Sequence, residues 1–479
     1  MLSIKSLLKA SLLSLAFLYS CSSEEPIAAD PVLEVAIPES SNPIFVTPGT
    51  PYQLNFTAEN AGSIQVSNLP EGWSAEVDMA GKNISVSATA EATSVAKLTV
   101  TAVNDTKSVS QEVSFYCLNS FDNPAGTFVL NEGNMTTENG TLTYITPEGY
   151  VIDDAYKAVN GTELGNVAQD MFFLDGKIYI ISQNGNKNAT GTSFENDGMM
   201  VILDAKTLKK EKSFTHDDLP ALEWPTHIAA IDPQHVYVRD NNGIYRLNSD
   251  TKELTLVEGT EGAPKSRFVV MNDKVYTYKQ GSLSGLLEIS ADSDQAKSIL
   301  FPFRVEISIN EVLGIRAADN GKVWVMSFGF GKMAIGKFDP STKEIIQREI
   351  TVQPSVGSSG IAFAAKGNEI YYADDLTLYR LKFDENPELD AASGLEAEEQ
   401  LATLSELDSN AGILYNGLAI HPETGNLYAN TIKSFPLFNK NQIWVFNTAS
   451  DFKSPLAKYE NHTHFPAGFY FPNHNRGVL

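Results

Sequence analysis

The stretch Met171-Phe172-Phe173-Leu174-Asp175-Gly176-Lys177-Ile178-Tyr179-Ile180 decides the fold. An apolar run is followed by Asp-Gly and then by a second run of apolar and aromatic residues. Asp-Gly between two such runs is the strongest short-range signal of a β-hairpin. The same pattern recurs along the chain, and a recurring unit of this kind indicates a repeat architecture.

The hairpin unit returns five more times between residues 228 and 428. The pairs of runs are Ile228–Ile231 with His235–Val238, Phe268–Met271 with Lys274–Tyr276, Ile315–Ala318 with Lys322–Val325, Ile361–Phe363 with Glu369–Tyr372, and Leu418–Ile420 with Asn426–Tyr428. Aromatic residues at 179, 237, 276, 324, 371 and 428 are spaced 39 to 58 residues apart. Four-stranded propeller blades recur every ~40–50 residues. The pattern therefore predicts six blades.

A seventh blade is predicted from the two ends of this region. The tail offers one strand, Gly468–Phe471, and the head offers Thr127–Leu130, Thr141–Ile145 and Gly149–Ile152. A blade shared between head and tail leaves only short, protected sheet edges. Residues 125–479 are thus predicted to form a seven-bladed β-propeller. The acidic stretch 388–407 is the one segment with a helical pattern, and we interpret it as an inserted loop.

Residues 33–118 have a different pattern of short alternating strands. Examples are Tyr52–Phe56, Ser63–Val66, Asn83–Val86 and Lys97–Thr101. Strict alternation of apolar and polar residues is typical of half-buried antiparallel strands. We predict an Ig-like β-sandwich with Trp73 in its core. The fold class is all-β: an N-terminal Ig-like β-sandwich followed by a seven-bladed β-propeller.

The N-terminus predicts a lipoprotein. Lys5 and Lys9 precede an apolar run, Leu12–Leu18, that is too short to span a bilayer. Leu18-Tyr19-Ser20-Cys21 is a lipobox, so residues 1–20 are a signal peptide, Cys21 is lipidated, and residues 21–32 are a linker. Acidic residues after the cysteine resemble the surface-export signal of Bacteroidota lipoproteins. We expect an outer-membrane, lipid-anchored, cell-surface protein, with the periplasmic leaflet as the alternative.

Composition restricts the partners. The formal charge is -24, with 59 acidic and 35 basic residues, which argues against nucleic acid and against an anionic membrane surface. Contact with the membrane is expected through the lipid anchor only. Cys117 is the one cysteine besides Cys21, so no disulfide within the chain is expected.

The loops at one end of a propeller are its usual binding surface, and the repeat alignment assigns residues to them. The predicted ligand-binding residues are Asn131, Glu132, Asn134, Gln169, Asp170, Gln183, His227, Arg267, Arg316, Phe328, Phe330, Tyr415, Asn416 and His464. Amides, aromatic rings and arginines suit a polar, planar or chelate-like ligand. Structural roles stay open for several: His227 as a satisfied core residue, the two phenylalanines as packing, and the two arginines as ion-paired.

Catalytic signals are absent from the sequence. No nucleophile elbow, P-loop or dinucleotide-binding glycine motif occurs, and only Asp170 and Glu132 offer carboxylates at candidate positions. His462 and His464 are a weak metal signal. We predict no catalytic residue, no metal, no cofactor and no enzymatic activity.

Three segments carry a family resemblance: Phe128–Asn134, Asn139–Leu142 and Ala158–Gln169. They resemble the opening of the YncE-like propeller lipoproteins of Bacteroidota, long classed as a domain of unknown function. The resemblance covers residues 125–479. It implies a protein that captures a cobalamin-like corrinoid, haem or siderophore and passes it to a TonB-dependent transporter. The alternatives are a protein- or glycan-binding adhesion module without catalysis and, less favoured, an enzyme acting on a glycan or lactone.

Overall fold

A computed structural model describes residues 29–38, 43–187, 190–279, 285–300, 311–329, 331–357, 360–386 and 398–472. The chain divides into two compact units, residues 1–117 and 118–479. The predicted signal peptide and Cys21 lie outside the described residues. Within the described ranges, none of the helices has the length and hydropathy that a bilayer crossing requires.

The first unit is built from two four-stranded sheets. Its strands are β1 Val32–Val35, β2 Ile44–Val46, β3 Tyr52–Glu59, β4 Ser63–Ser67, β5 Trp73–Asp78, β6 Asn83–Ala88, β7 Val95–Val103 and β8 Ser108–Cys117. The sheet orders are β1-β3-β6-β5 and β2-β8-β7-β4, and all pairs are antiparallel except β2 with β8. Alternation in β7 buries Ala96, Leu98 and Val100, so every second residue enters the core that the two sheets share.

Trp73 lies in that shared core, as predicted. Its side chain is 7% exposed, and its ring centroid lies 5.9 Å from that of Phe115. The indole Nε1 donates to the carbonyl oxygen of Thr93 over 2.7 Å, so the one polar atom of the ring is satisfied. Cys117 is buried in the same unit, and burial raises the pKa of its thiol to about 11.

Among the described residues, the second unit contains seven four-stranded antiparallel sheets and one two-stranded sheet. The elements of the first four sheets are β9 Thr127–Asn131, β10 Thr141–Ile145, β11 Val151–Ile152, α1 Ala155–Asn160, β12 Asn166–Leu174, β13 Lys177–Gly185, β14 Met200–Asp204, β15 Lys210–Phe214, β16 His227–Asp232, β17 His235–Asp240, β18 Gly243–Leu247, β19 Leu254–Leu256, β20 Val269–Met271, β21 Lys274–Lys279, β22 Gly285–Ser290 and β23 Lys297–Leu300. Apart from the first, each sheet follows the chain order of its strands.

The remaining elements continue the same pattern. They are β24 Glu311–Ala317, β25 Val323–Gly329, β26 Lys332–Phe338, β27 Ile345–Ile350, β28 Val356–Gly357, β29 Gly360–Ile361, β30 Phe363–Lys366, β31 Glu369–Asp374, β32 Thr377–Lys382, β33 Glu399–Thr403, α2 Leu404–Leu407, β34 Ile413–Ile420, β35 Leu427–Ile432, a 3-10 helix Phe435–Leu437, β36 Asn441–Phe446, β37 Ala457–Glu460 and β38 Pro466–Tyr470. The short pair β28 and β29 stands apart from the four-stranded sheets.

The hairpin on which the repeat was recognised forms as predicted. Leu174 pairs with Lys177, and the two turn residues between them both have positive φ, 48° at Asp175 and 75° at Gly176. A two-residue turn with both φ values positive matches the right-handed twist of the flanking strands, and Asp-Gly accommodates it at low cost. The local sequence therefore fixes both the turn and the register of this sheet.

The aromatic residues of the repeat lie on the second strand of six sheets and are buried in each case. These residues are Tyr179, Tyr237, Tyr276, Trp324, Tyr371 and Tyr428. One apolar cluster joins Tyr179 and Tyr237 with residues of three successive sheets. The core thus lies between neighbouring sheets, which explains why the spacing of these rings follows the spacing of the sheets.

The last strand pairs with the first of this unit. β38 lies antiparallel to β9, with Phe469 opposite Val129 and Tyr470 opposite Phe128. The inner strands β12, β16, β20, β24, β30 and β34 contact one another in chain order, and β38 contacts both β34 and β12. The ring of sheets is therefore closed and propeller-like, and the predicted pairing of head and tail is present.

One expectation for this unit is wrong in part. Of the stretch 388–407, the described residues 398–407 form β33, the outer strand of a sheet, and the single turn α2. This segment therefore supplies the fourth strand of its sheet, as in the other sheets, and Leu404 is buried in the apolar cluster shared with the next sheet. Residues 388–397 lie outside the described residues.

Closure of the ring predicts a large effect at Phe469, which is 3% exposed in a cluster with Val129 and Tyr428. We expect Phe469→Ala to lower the free energy of unfolding by about 3–5 kcal/mol, because it opens a cavity where the chain ends meet. Urea denaturation measures this. The control is Phe435→Ala at a ring that is 61% exposed, expected to change stability by less than about 1 kcal/mol. Equal effects would contradict the role of the closure.

Candidate functional site

The closed ring surrounds an opening, which we call the mouth. Its lining includes His227, Arg267, Arg316, Ser355, Asp375, Asn416, Leu418 and Phe469, and it encloses about 1030 Å³ of space, open solvent included. A channel of about 850 Å³, open solvent included, shares Arg267, Arg316, Leu418 and Phe469 with the mouth and is lined by residues of the inner strands. Arg267 and Arg316 line both spaces, so their side chains lie where the mouth meets the channel.

Arg267 is fixed by the closing strand. Its Nε lies 3.5 Å from the Asp170 carboxylate, its Nη1 donates to the carbonyl oxygen of Phe469 over 3.3 Å, and its guanidinium lies 4.3 Å from the Tyr470 ring centroid. The Tyr470 hydroxyl donates to Asp170 over 2.7 Å. A Cβ at Gly468 would lie 1.7 Å from Arg267 Nη2, so a glycine is needed for this approach. Arg267 is thus ion-paired, one of the two roles left open by the sequence.

Asp170 belongs to the same network. Its side chain is 4% exposed, and it also accepts a hydrogen bond from the backbone N–H of Ile228 over 3.1 Å. Burial raises the pKa of this carboxyl, and the charge of Arg267 opposes that effect. The carboxylate therefore joins three inner strands and is occupied by protein partners.

Arg316 is the second arginine of the mouth, and it has no carboxylate within 4.0 Å among the described residues. Its Nη1 donates to the carbonyl oxygen of Ile315 over 2.7 Å, and its guanidinium lies 5.3 Å from the ring centroid of Phe363. Burial, and then the like charge of Arg267, lowers its pKa to about 10. It therefore stays protonated at neutral pH.

His227 is brought to the mouth in its neutral form. The side chain is 3% exposed, and its Nδ1 lies 3.0 Å from the hydroxyl of Thr226. Burial, followed by the charges of Lys265 and Arg267, holds its pKa well below the usual value. A neutral imidazole adds hydrogen-bonding capacity here without adding charge.

Glu132, Tyr415 and Asn416 meet although they lie nearly 300 residues apart in the chain. The Tyr415 hydroxyl and the Asn416 Nδ2 donate to the same Glu132 oxygen over 3.4 and 3.3 Å. Burial raises the pKa of Glu132 to about 7, and the charge of Lys265 acts in the opposite direction. The buried Gln169 amide lies beside this carboxyl. These four predicted residues form one group next to the mouth.

Other predicted residues do not reach the mouth. Asn131 is 0% exposed, its Nδ2 donates to the hydroxyls of Thr141 and Thr143 over 3.1 and 2.9 Å, and its Oδ1 accepts from the backbone N–H of His464 over 3.2 Å. It therefore ties the closure together and does not line the mouth. Asn134 accepts from the backbone N–H and the hydroxyl of Thr136, both over 3.0 Å, which is a turn interaction.

Three more predicted residues also lie elsewhere. Gln183 is buried in β13 and is absent from the lining of the mouth. Phe328 packs against the cluster that contains Trp324, which is the packing role left open above. His464 lies in a separate groove, where its Nδ1 is 3.0 Å from a Glu138 carboxylate oxygen. Phe330 lies outside the described residues.

Two cations near the mouth were missed by the sequence analysis. Arg239 and Lys265 are half-buried, and burial lowers the pKa of both. Together with Arg267 and Arg316 they lower the pKa of His227, which places four positive charges around that imidazole. Lys265 precedes Arg267 by two residues. This basic pair before an inner strand was the sequence signal that could have identified Lys265 as a residue near the mouth. Within the described ranges, no group of three or more His, Cys, Asp or Glu side chains could hold a metal ion.

The family model described as "Domain of unknown function (DUF5074)" matches residues 125–472. The chain belongs to this family. No curated protein matches the chain. The family region coincides with the ring of sheets, so the mouth described above is a feature of the DUF5074 domain.

One solved structure supports the propeller-like fold, and two others are similar at lower TM-scores. A Bacteroides thetaiotaomicron protein described as quinoprotein alcohol dehydrogenase-like is similar with TM-score 0.57 and 17% identity, covering 90% of this chain and 96% of that chain. At this identity the likeness shows the fold alone. A Lactobacillus plantarum protein has TM-score 0.41 and 12% identity, covering 72% and 98% of the two chains. The Dos1 propeller has TM-score 0.35 and 12% identity, covering 61% and 72%.

The burial of Glu132 predicts a pH-dependent stability. Its folded-state pKa of about 7 lies above that of an exposed glutamate, so stability is lost as the pH rises through this range and the carboxyl ionises. Glu132→Gln removes this ionisation. As the pH rises from about 5 to about 8, we expect the unfolding free energy of wild type to fall relative to that of the variant by about 1–3 kcal/mol.

Denaturant unfolding at a series of pH values measures this difference. Glu261→Gln, at an exposed position, is the matched control and should follow the wild-type profile. Parallel profiles for Glu132→Gln and wild type would show that Glu132 is not held in a desolvated state.

Proposed function

We propose that the protein is a YncE-like, seven-bladed β-propeller lipoprotein whose mouth binds a small polar or metal-chelate ligand. The observation that carries this proposal is the mouth itself, where Arg267, Arg316, His227 and Asn416 converge on a space of about 1030 Å³, open solvent included. Ligand sites are concave, largely apolar and furnished with a few oriented polar groups. The mouth and the adjoining channel are concave and combine apolar side chains such as Leu418 and Phe469 with the polar groups of Arg267, Arg316, His227 and Asn416.

The finer architecture belongs to the same proposal. Each of the seven four-stranded sheets of residues 118–479 would be one blade, with β38 completing the first. The two sheets that share Trp73 in their core would form an Ig-like module. Lipidation at Cys21 would tether the chain to the outer membrane.

The mouth supports binding rather than catalysis. Two carboxylates beside it are occupied: Asp170 contacts Arg267 and Tyr470, and Glu132 accepts hydrogen bonds from Tyr415 and Asn416. The lining also contains Asp375 and Ser355, and the Ser355 hydroxyl donates to the Asp374 carboxylate over 3.1 Å. A surface protein that captures a corrinoid, haem or siderophore would pass it to a TonB-dependent transporter, which is the partner we propose.

Filling the mouth tests the proposal without changing charge. Ala362 lines the mouth, and Ala362→Trp places an indole in it. We expect the full-length protein to bind one of cyanocobalamin, haem or a ferric siderophore saturably, and this variant to bind at least about tenfold more weakly, a loss of about 1.4 kcal/mol. Isothermal titration calorimetry measures both affinities.

Ala449→Trp is the matched control, because Ala449 is an exposed turn residue outside the mouth lining. Its affinity should equal that of wild type. Failure of every ligand in the panel, or equal binding by Ala362→Trp and wild type, would count against capture at the mouth.

A second candidate function is adhesion to a protein or glycan, favoured by an exposed aromatic loop. Phe435 is 61% exposed and Leu437 is 43% exposed on the 3-10 helix after β35. The Phe435 ring lies 6.2 Å from that of Tyr415, so the loop presents a continuous apolar surface beside the mouth. Macromolecular binding that is abolished by Phe435→Ala and unaffected by Ala362→Trp would favour this function.

A further inference from the structure

We infer that the mouth recognises an organic anion bearing two or more carboxylate or phosphate groups, which Arg316 and Arg267 contact directly. This inference rests on the proposed function, because it names the chemical class of the ligand for the same site. It follows from the charge, the geometry and the environment of the cations at the mouth.

Positive charges are concentrated around the mouth. Four cations lie around the mouth, and of these only Arg267 has a carboxylate within 4.0 Å among the described residues. Arg239, Lys265 and Arg316 have none. The whole chain carries a formal charge of -24, so a cluster of four cations in one place runs against the overall composition. A concave site that concentrates one sign of charge attracts ligands of the other sign.

Carboxyl groups nearby offset much of this charge. Asp170 lies beside Arg267, and the charges of Glu132 and Asp240 act on Lys265 and Arg239. Asp375 also lines the mouth. Burial raises the pKa of Glu132 to about 7, so a fraction of its charge is absent at neutral pH. Of the two arginines that line the mouth, Arg316 is the one that no carboxylate approaches within 4.0 Å among the described residues.

Protein contacts hold both guanidinium groups in place before any ligand binds. The Arg316 guanidinium lies over Phe363 and is tied at Nη1 to the carbonyl oxygen of Ile315. The Arg267 guanidinium is held by Asp170 and the closing strand. An arginine has five N–H donors, and these contacts use only some of them. Two oriented guanidinium groups match the planar fork of a carboxylate or the oxygens of a phosphate.

The Arg316 guanidinium is partly removed from solvent. Burial is the main cause of the lowered pKa of Arg316, and the charge of Asp170 opposes it only from beyond 4.0 Å, so the guanidinium has lost solvation without a carboxylate in contact among the described residues. An anion between the two guanidinium groups would offset that loss. The adjoining walls at Leu418 and Phe469 are apolar, which suits the carbon skeleton of an organic ligand better than a free ion.

Calorimetry with three probes tests the inference: citrate, its neutral trimethyl ester, and inorganic phosphate. We expect citrate to bind saturably and at least about tenfold more tightly than the ester, with an affinity that falls as salt is raised. Phosphate binding as tight as citrate binding identifies a phosphate group as the preferred anion, whereas weaker phosphate binding identifies carboxylates. Equal affinities for citrate and its ester, or no binding of citrate and phosphate, overturn the inference.

Two variants locate the anion. Arg316→Gln removes one guanidinium, and Gly468→Ala displaces Arg267 without changing charge, since the new Cβ would overlap its Nη2. We expect each to weaken citrate binding at least about tenfold. Lys206→Gln removes one positive charge from an exposed turn and is the matched control, with unchanged affinity. If Gly468→Ala does not fold, Arg316→Lys, which keeps the charge and loses the fork, replaces it and should also bind citrate more weakly.

The failure of this inference is distinguishable from the failure of the proposed function. Suppose that a ligand from the earlier panel binds wild type, binds Ala362→Trp more weakly, and binds equally well in the presence of citrate and to Arg316→Gln. The mouth would then still be a binding site, but the inference that its ligand is an anion would be refuted. Citrate binding that Arg316→Gln leaves unchanged would place the anion elsewhere and also refute it. Absence of binding by both panels would refute both.

Discussion

The pairing of β38 with β9 is the constraint on which the second unit depends. Each sheet buries its aromatic residue against the next sheet, and such an array is stable only when its two ends cover each other. Phe469 and Val129 are opposite one another in that pairing, and Asn131 ties the incoming chain at His464. The closure is made by side chains and backbone together, without a disulfide.

The same closure builds the mouth. β38 places Tyr470 against Asp170 and places its carbonyl oxygens and Gly468 against Arg267, so one short strand orients an arginine that belongs to another sheet. Stability and binding geometry are therefore coupled at this strand. A change that loosens the closure releases Arg267, whereas Arg316 is held by its own strand and by Phe363.

Much of the fold could be predicted from the sequence, because its signals are local. The Asp175-Gly176 turn and the spaced aromatic residues specify hairpins and their repetition. The site was harder to predict. Asn131 and Glu132 are neighbours in sequence, yet one is locked inside the closure and the other accepts hydrogen bonds from Tyr415 and Asn416. Alternation along a strand sends adjacent side chains in opposite directions, and loop side chains follow tertiary contacts instead. Lys265 was missed for the second reason, whereas Arg239 lies on strand β17 and was missed because only loop residues were assigned to the binding surface.

The environment of Arg316 is costly for stability and is the reason for proposing that the mouth binds a ligand. A half-buried arginine without a carboxylate partner costs solvation energy, and apolar side chains of similar size would pack against Phe363 without that cost. Arg267 differs, since Asp170 compensates its charge. Proteins retain locally unfavourable groups where function uses them. The contrast between Arg267, which a carboxylate contacts, and Arg316, which none contacts among the described residues, therefore supports the proposal that the partner of Arg316 is a ligand.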